Sequence, residues 1–246
     1  MAHAVITREA DAAAPYVAAL AALGLEGVAM PVTCTAPPRD PGELTRALER
    51  GGHVAIVVAS ARAASALASL RGGAALAEVW AVGPATARAL AGAGIPAVVP
   101  RGVRDGATLA RALVAERAVA GKRVLVPRAE DGREEAIAIL RDAGAEVEAI
   151  AAYRTVPASA DDPALAHGLG LLRRGAVAVC AVFAPSQVAA LDALVGVRAI
   201  TARFAAIGET TAAALRAAGA TAVAVAGAPT PEGLAKAVSA VYPQES

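Results

Sequence analysis

The stretch Val124–Thr155, VLVPRAEDGREEAIAILRDAGAEVEAIAAYRT, reads as strand, helix and strand. Val124–Val126 is a β-branched and leucine run of the kind buried on both faces of a parallel sheet. Asp131 and Glu134 stand three apart, the spacing of a capping box that satisfies free N–H groups at a helix start. Ala136, Ile137, Leu140 and Ala143 then recur at helical spacing and form one apolar face. Gly144 suits the residue just past a helix end, where φ is positive. Val147–Tyr153 is the next strand, and parallel strands need such a crossover, almost always right-handed. The same order appears at the N-terminus in Ala4–Thr35, AVITREADAAAPYVAALAALGLEGVAMPVTCT. Arg8 corresponds to Arg128, Gly24 to Gly144 and Thr35 to Thr155, each pair offset by 120 residues. That period is the size of a small domain and far longer than a solenoid repeat.

The remainder of the chain repeats too. Gly83 and Gly208, Thr86 and Thr211, and Gly94 and Gly219 are each offset by 125 residues. The first copy holds expected strands at Ala4–Ile6, Gly27–Val32, Val54–Val58, Val79–Val82 and Ala97–Val99. The second holds them at Val124–Val126, Val147–Tyr153, Val177–Phe183, Phe204–Ile207 and Thr221–Ala226. Helices alternate with them, the signature of an open, doubly wound α/β sheet. Two polar, proline-bearing breaks, Thr33–Gly42 and Val156–Pro163, occupy equivalent places and suit extended connectors. Spacing leaves two arrangements open. Each copy folds by itself, or the connectors are crossing points and each domain takes parts of both copies.

Composition narrows the function. A chain of 246 residues can bury two cores of ordinary size. Hydrophobic residues make up 57% but aromatics only 2%, so the core is Ala, Val and Leu, and base-stacking nucleic-acid readers are disfavoured. A net charge of +1 provides no global field for nucleic acid or membrane. An anionic ligand must therefore be met by local arginines and backbone N–H groups. Cys34 and Cys180 make neither a disulfide framework nor a metal cluster and read as small residues in or near the core. His3, His53 and His167 lack metal-ligand spacing and read as isolated surface residues. Neither a signal peptide nor a membrane-length Leu/Ile-rich span is visible, so a soluble cytoplasmic protein is expected. No dinucleotide fingerprint, phosphate loop or nucleophile elbow appears.

Several short motifs run in order along the chain. They are Thr7-Arg8, then Ala81-Val82-Gly83-Pro84-Ala85-Thr86-Ala87 with Gly94, then Gly121-Lys122-Arg123-Val124-Leu125-Val126-Pro127-Arg128. Ala145-Glu146-Val147, Tyr153-Arg154-Thr155-Val156-Pro157 and Ile207-Gly208-Glu209-Thr210-Thr211-Ala212 follow. This ordered set resembles the uroporphyrinogen-III synthase family. The resemblance implies two flavodoxin-like, doubly wound parallel-sheet domains joined by a two-stranded connector, the first domain discontinuous. Carried onto this chain, residues 1–33 and 157–246 form domain 1 and residues 36–154 the inserted domain 2. Residues 31–37 and 151–158 are the connectors, and the active site lies in the cleft between domains. The implied reaction cyclises hydroxymethylbilane, a linear tetrapyrrole octacarboxylate, to uroporphyrinogen III, with loss of water and inversion of ring D. It implies a hydro-lyase of porphyrin and heme biosynthesis, a monomer using no cofactor or metal and binding neither nucleic acid nor membrane.

The same resemblance nominates residues. Tyr153 matches the family tyrosine, and its phenol would assist the departing hydroxyl. The plainer alternative is a strand-end tyrosine with a buried ring. Arg8 and Arg128 end equivalent strands and are candidates for pairing with substrate carboxylates; a salt bridge to a neighbouring helix is the alternative. Ser60, Thr86, Ser186, Thr210 and Thr211 stand at strand-to-helix turns, where free N–H groups and the helix dipole suit carboxylates. For the threonines, ordinary N-capping is the alternative. Arg154 and Lys122 read as solvated charges. Glu209 stands where the family usually has proline, Ala59 where it has threonine, and Phe183-Ala184 where it has Thr-Ser. Those departures weaken side-chain contacts at the turns and favour the alternative of a non-catalytic two-domain ligand-binding protein. An exported two-lobed receptor is disfavoured by the missing signal peptide.

Overall fold

The computed structural model describes residues 2–70 and 77–242. In chain order, the first βαβ is β1 (Ala2–Ile6), α1 (Ala10–Ala21) and β2 (Leu25–Ala29). Then come β3 (Thr33–Ala36), α2 (Glu43–Arg50), β4 (His53–Val58), α3 (Ala61–Ser69), β5 (Glu78–Ala81), α4 (Gly83–Ala91), β6 (Ala97–Val98) and α5 (Gly106–Glu116). The central repeat is β7 (Arg123–Ala129), α6 (Glu135–Asp142) and β8 (Glu146–Pro157). The chain closes with α7 (Pro163–Arg173), β9 (Val177–Val182), α8 (Pro185–Val195), β10 (Arg203–Ala206), α9 (Glu209–Ala217), β11 (Val223–Val225) and α10 (Pro231–Val241).

The chain divides into two units, Met1–Cys34 with Val156–Ser246, and Thr35–Thr155. The first unit has a five-stranded sheet in the order β11-β10-β9-β1-β2, and each of its strand pairs is parallel. The second has the order β3-β8-β7-β4-β5-β6. Strands β7 and β8 are the repeats of β1 and β2, and β4, β5 and β6 of β9, β10 and β11. Each sheet thus joins one βαβ of one copy to three strands of the other, in the flavodoxin-like order. The start of the Thr33–Gly42 break forms the extended strand β3, which neighbours β8 in the sheet.

Both sheets are covered on two faces, as parallel sheets require. Val5 packs on one face of the first sheet while Ala4 and Ile6 pack on the other. In the second unit Ile56 and Val58 face one core, and Ala55 and Val57 face the other, with Trp80. This alternation is the strand period expressed as two separate cores. Cys180 is fully buried in the first unit, and burial pushes its thiol up to about 12. Cys34 is half-buried. Among the described residues no helix is long and apolar enough to cross a membrane.

Two expectations need correction here. The Asp131/Glu134 capping box does not form: α6 begins at Glu135, and Glu134 sits at its N-cap without a side-chain cap bond. Its carboxylate is drawn instead to Arg128. His53 is not an isolated surface residue. Its side chain is only 3% exposed, and its Nε2 lies 2.8 Å from Glu148 Oε2. Arg123 donates to the same oxygen at 2.6 Å and to the Gly51 carbonyl at 2.8 Å, and Arg50 pairs with the other oxygen. Position 53 opens β4, position 123 opens β7 and position 148 lies early in β8, so neighbouring strand starts assemble the cluster. Nothing in the local sequence signals it, since its members lie up to 98 residues apart.

Candidate active site

In a doubly wound sheet the ligand crevice opens beyond the C-terminal strand ends, where the strand order reverses. In the second unit that point lies between β7 and β4. A cleft of about 390 Å³ is found there, lined by Ser60, Arg104, Arg128, Arg133, Glu135 and Tyr153 among others. A hollow of about 450 Å³ at the β5–β6 edge has little polar chemistry. Its lining residue Glu78 is already bound by Arg117 and by the Trp80 indole N–H. The switch-point cleft is the better candidate because charge and hydroxyls converge in it.

Three nominated residues meet in this cleft. Tyr153 lies on β8, its ring packed against the core and half-buried. Its hydroxyl is 3.3 Å from Ser60 Oγ, longer than an ordinary O–H···O bond and therefore loose. Ser60 is the N-cap of α3, its Oγ accepting from the Ala63 N–H at 3.1 Å. A capping hydroxyl thus stands next to the phenol at the positive end of a helix. Arg128 ends β7. Its Nη1 donates to Glu134, its Nη2 to the Gly132 carbonyl, and its Nε is buried without a partner. The neighbouring α5 start is closed by its own acid. Asp105 accepts from the Thr108 N–H at 2.8 Å, and hydrogen bonds from the Thr108 backbone and hydroxyl hold its carboxyl below the usual range.

Thr86 is not part of this constellation. It is buried at 4% exposure within α4, whose N-cap is Val82. Capping by Thr86 or Thr211 does not occur, since the α4 and α9 N-caps, Val82 and Gly208, make no side-chain cap bond. Thr211 is likewise buried, at 3%. Arg154 donates from Nε to the Pro37 carbonyl at 3.0 Å in an exposed hydrogen bond.

In the first unit the corresponding strand ends are those of β1 and β9. Arg8 follows β1, and its guanidinium lies 4.8 Å from the Phe183 ring centroid and 5.5 Å from that of Tyr16. Such stacking on aromatic faces is a favourable use of a planar cation. Phe183 supplies one of those faces. Ser186 and Thr210 are exposed in the first turns of α8 and α9. Two further polar residues organise this end and escaped the sequence reading. Buried Thr7 donates to the Ala181 carbonyl at 3.0 Å or to Gln187 Oε1 at 2.8 Å, and that Oε1 also accepts from the Phe183 N–H at 2.9 Å. Thr7 was visible only as the residue before Arg8. Gln187 had no sequence signal, because its partner is 180 residues away. Among the described residues no three His, Cys, Asp or Glu side chains group so as to hold a metal ion.

Comparison with known proteins agrees with this architecture. No curated protein sequence matches the chain. A uroporphyrinogen III synthetase structure from Helicobacter pylori matches 98% of this chain and 100% of its own, at 14% identity and a TM-score of 0.65. A mutant uroporphyrinogen III synthase structure from Thermus thermophilus matches the whole of both chains at 22% identity and a TM-score of 0.55. At such identities these structures speak for the fold. The family model described as uroporphyrinogen-III synthase HemD matches residues 14–236. The chain therefore belongs to the uroporphyrinogen-III synthase family.

Proposed function

We propose that the chain cyclises hydroxymethylbilane to uroporphyrinogen III, losing water and inverting ring D, as a lyase of tetrapyrrole biosynthesis. The observation that carries this reading is the family match over residues 14–236. The second-unit cleft, holding Tyr153 and Ser60 beside three arginines, supports it chemically. Tyr153 donates a hydrogen bond to the departing hydroxyl, with the Ser60 hydroxyl as its loosely bonded neighbour. Arg128 in that unit, with Arg8, Ser186 and Thr210 in the other, meets substrate carboxylates. Thr86 and Thr211 are buried beside strand-to-helix turns, and the backbone N–H groups of those turns make the contact. Positioning supplies much of such a barrier, since the reaction must bring the two ends of one flexible molecule together. The protein works as a cytoplasmic monomer.

The decisive experiment incubates the purified protein with freshly made hydroxymethylbilane and separates the product isomers. The type III isomer is expected. Formation of the type I isomer alone, the spontaneous product, would refute the activity.

A further inference from the structure

We infer that Glu134 occupies Arg128 as an internal stand-in for a substrate carboxylate, and that binding exchanges the one for the other. The inference rests on the proposed synthase activity and concerns how its charged substrate is admitted. Arg128 is held by the fold, with a side chain only 17% exposed, whereas the Glu134 side chain is 67% exposed. The arginine is therefore the fixed partner and the glutamate the one free to leave. Its release returns a mostly exposed carboxylate to water, and the incoming carboxylate restores the charge partner of the largely buried arginine.

The turn before α6 is built around that pair. The Gly132 N–H bonds to the Ala129 carbonyl at 3.0 Å, and the Gly132 carbonyl accepts from Arg128. A Cβ at Gly132 would lie 3.0 Å from Arg128 Nε, so glycine is what lets the turn lie against the guanidinium. Glu134 gives up a side-chain capping role at the start of α6 to reach the arginine. The result is a locally neutral guanidinium in a cleft meant for a polyanion, with one N–H, at Nε, left unbonded. A substrate carboxylate arriving in place of Glu134 takes up the charged hydrogen bond at Nη1 that Glu134 gives up. The substrate brings several carboxylates on one scaffold, which raises their effective concentration at the site.

The test compares KM and kcat for hydroxymethylbilane in Glu134→Gln, Asp131→Asn and Arg128→Ala. Glu134→Gln should lower KM about two- to fivefold, the size expected for removing a weak competing ion pair, with kcat unchanged. Asp131→Asn makes the same charge change on the same turn and should leave KM where it was. Arg128→Ala should raise KM, and adding Glu134→Gln to it should then do nothing. Arg128→Gln replaces Arg128→Ala if circular dichroism shows the latter unfolded. An unchanged or higher KM in Glu134→Gln, an equal drop in Asp131→Asn, or a persisting Glu134 effect without Arg128 would each overturn the exchange. Loss of type III product in the unmodified protein would instead defeat the synthase reading before any variant is compared.

Discussion

Replacing Tyr153 with phenylalanine removes one oxygen from the second-unit cleft and leaves the ring packed against the core. The lost contact is a loose one, 3.3 Å from Ser60 Oγ, so stability should change by less than about 1 kcal/mol. Turnover should fall about 10- to 100-fold if the phenol assists the leaving hydroxyl. Steady-state kinetics beside a urea titration separates the two, and unchanged turnover would remove Tyr153 from the mechanism. Ser60→Ala has the opposite balance. It removes the α3 N-cap as well as the phenol's neighbour, costing about 1 kcal/mol of stability and a smaller share of rate. Tyr153, Ser60 and Arg128 could be nominated from their motifs, because each ends or follows a strand that the pattern locates. What could not be read was each side chain's occupation. Whether Arg128 is free or held depends on Glu134, and whether Arg8 reaches out or stacks depends on Phe183, which is 175 residues away.

Element boundaries were legible where glycine and apolar spacing mark them and less so where charges compete. Gly144 has φ +82° and Gly24 has φ +72°, so both copies end their first helix with a left-handed residue. Alanine at either place carries the strain of that conformation, about 1 kcal/mol. The two sites differ in their surroundings. A Cβ at Gly24 meets nothing within 4 Å, whereas one at Gly144 would lie 3.3 Å from the Ala120 Cβ. Gly144→Ala should therefore destabilise more than Gly24→Ala, a difference read from urea midpoints by circular dichroism. Equal losses would mean that Ala120 gives way freely. The start of α6 is the counter-case. Asp131 and Glu134 have the spacing of a capping box, yet the pair at Arg128 takes Glu134, and the helix begins at Glu135, not at the Gly132 that such a box would make its first residue. A local rule lost to a tertiary charge.

For the whole molecule, the duplicated strand–helix–strand pattern was enough to predict doubly wound parallel sheets. Spacing alone could not say which strands pair, because pairing is a long-range choice between two nearly equivalent copies. The sheet orders resolve it by mixing the copies. Charge is shared unevenly in a way that no repeat reveals. Among the described residues, the carboxylates clearly held below their ordinary values, Asp40, Glu78, Asp105 and Glu148, all lie in the unit Thr35–Thr155. Burial pushes Glu148 upward, but hydrogen bonds from His53 and Arg123 and the Arg50 charge outweigh it. A carboxylate with a lowered folded value stabilises the protein fully above its ordinary value, 4.5 for Glu148, and that contribution disappears as pH falls through the folded value. This unit should thus lose stability in acid, mainly through Glu148, the least exposed of the four. Trp80, the only tryptophan, is fully buried in its core and reports on it by fluorescence. The urea midpoint read from Trp80 should hold steady from about pH 7 to 5 and then fall toward pH 3. Glu148→Ala should lower the neutral-pH midpoint by the equivalent of about 1–3 kcal/mol, since His53 and Arg123 lose their shared acceptor. It should also flatten the acid slope. An acid slope that survives unchanged in Glu148→Ala would show that the cluster at the strand starts is not what links this unit to pH.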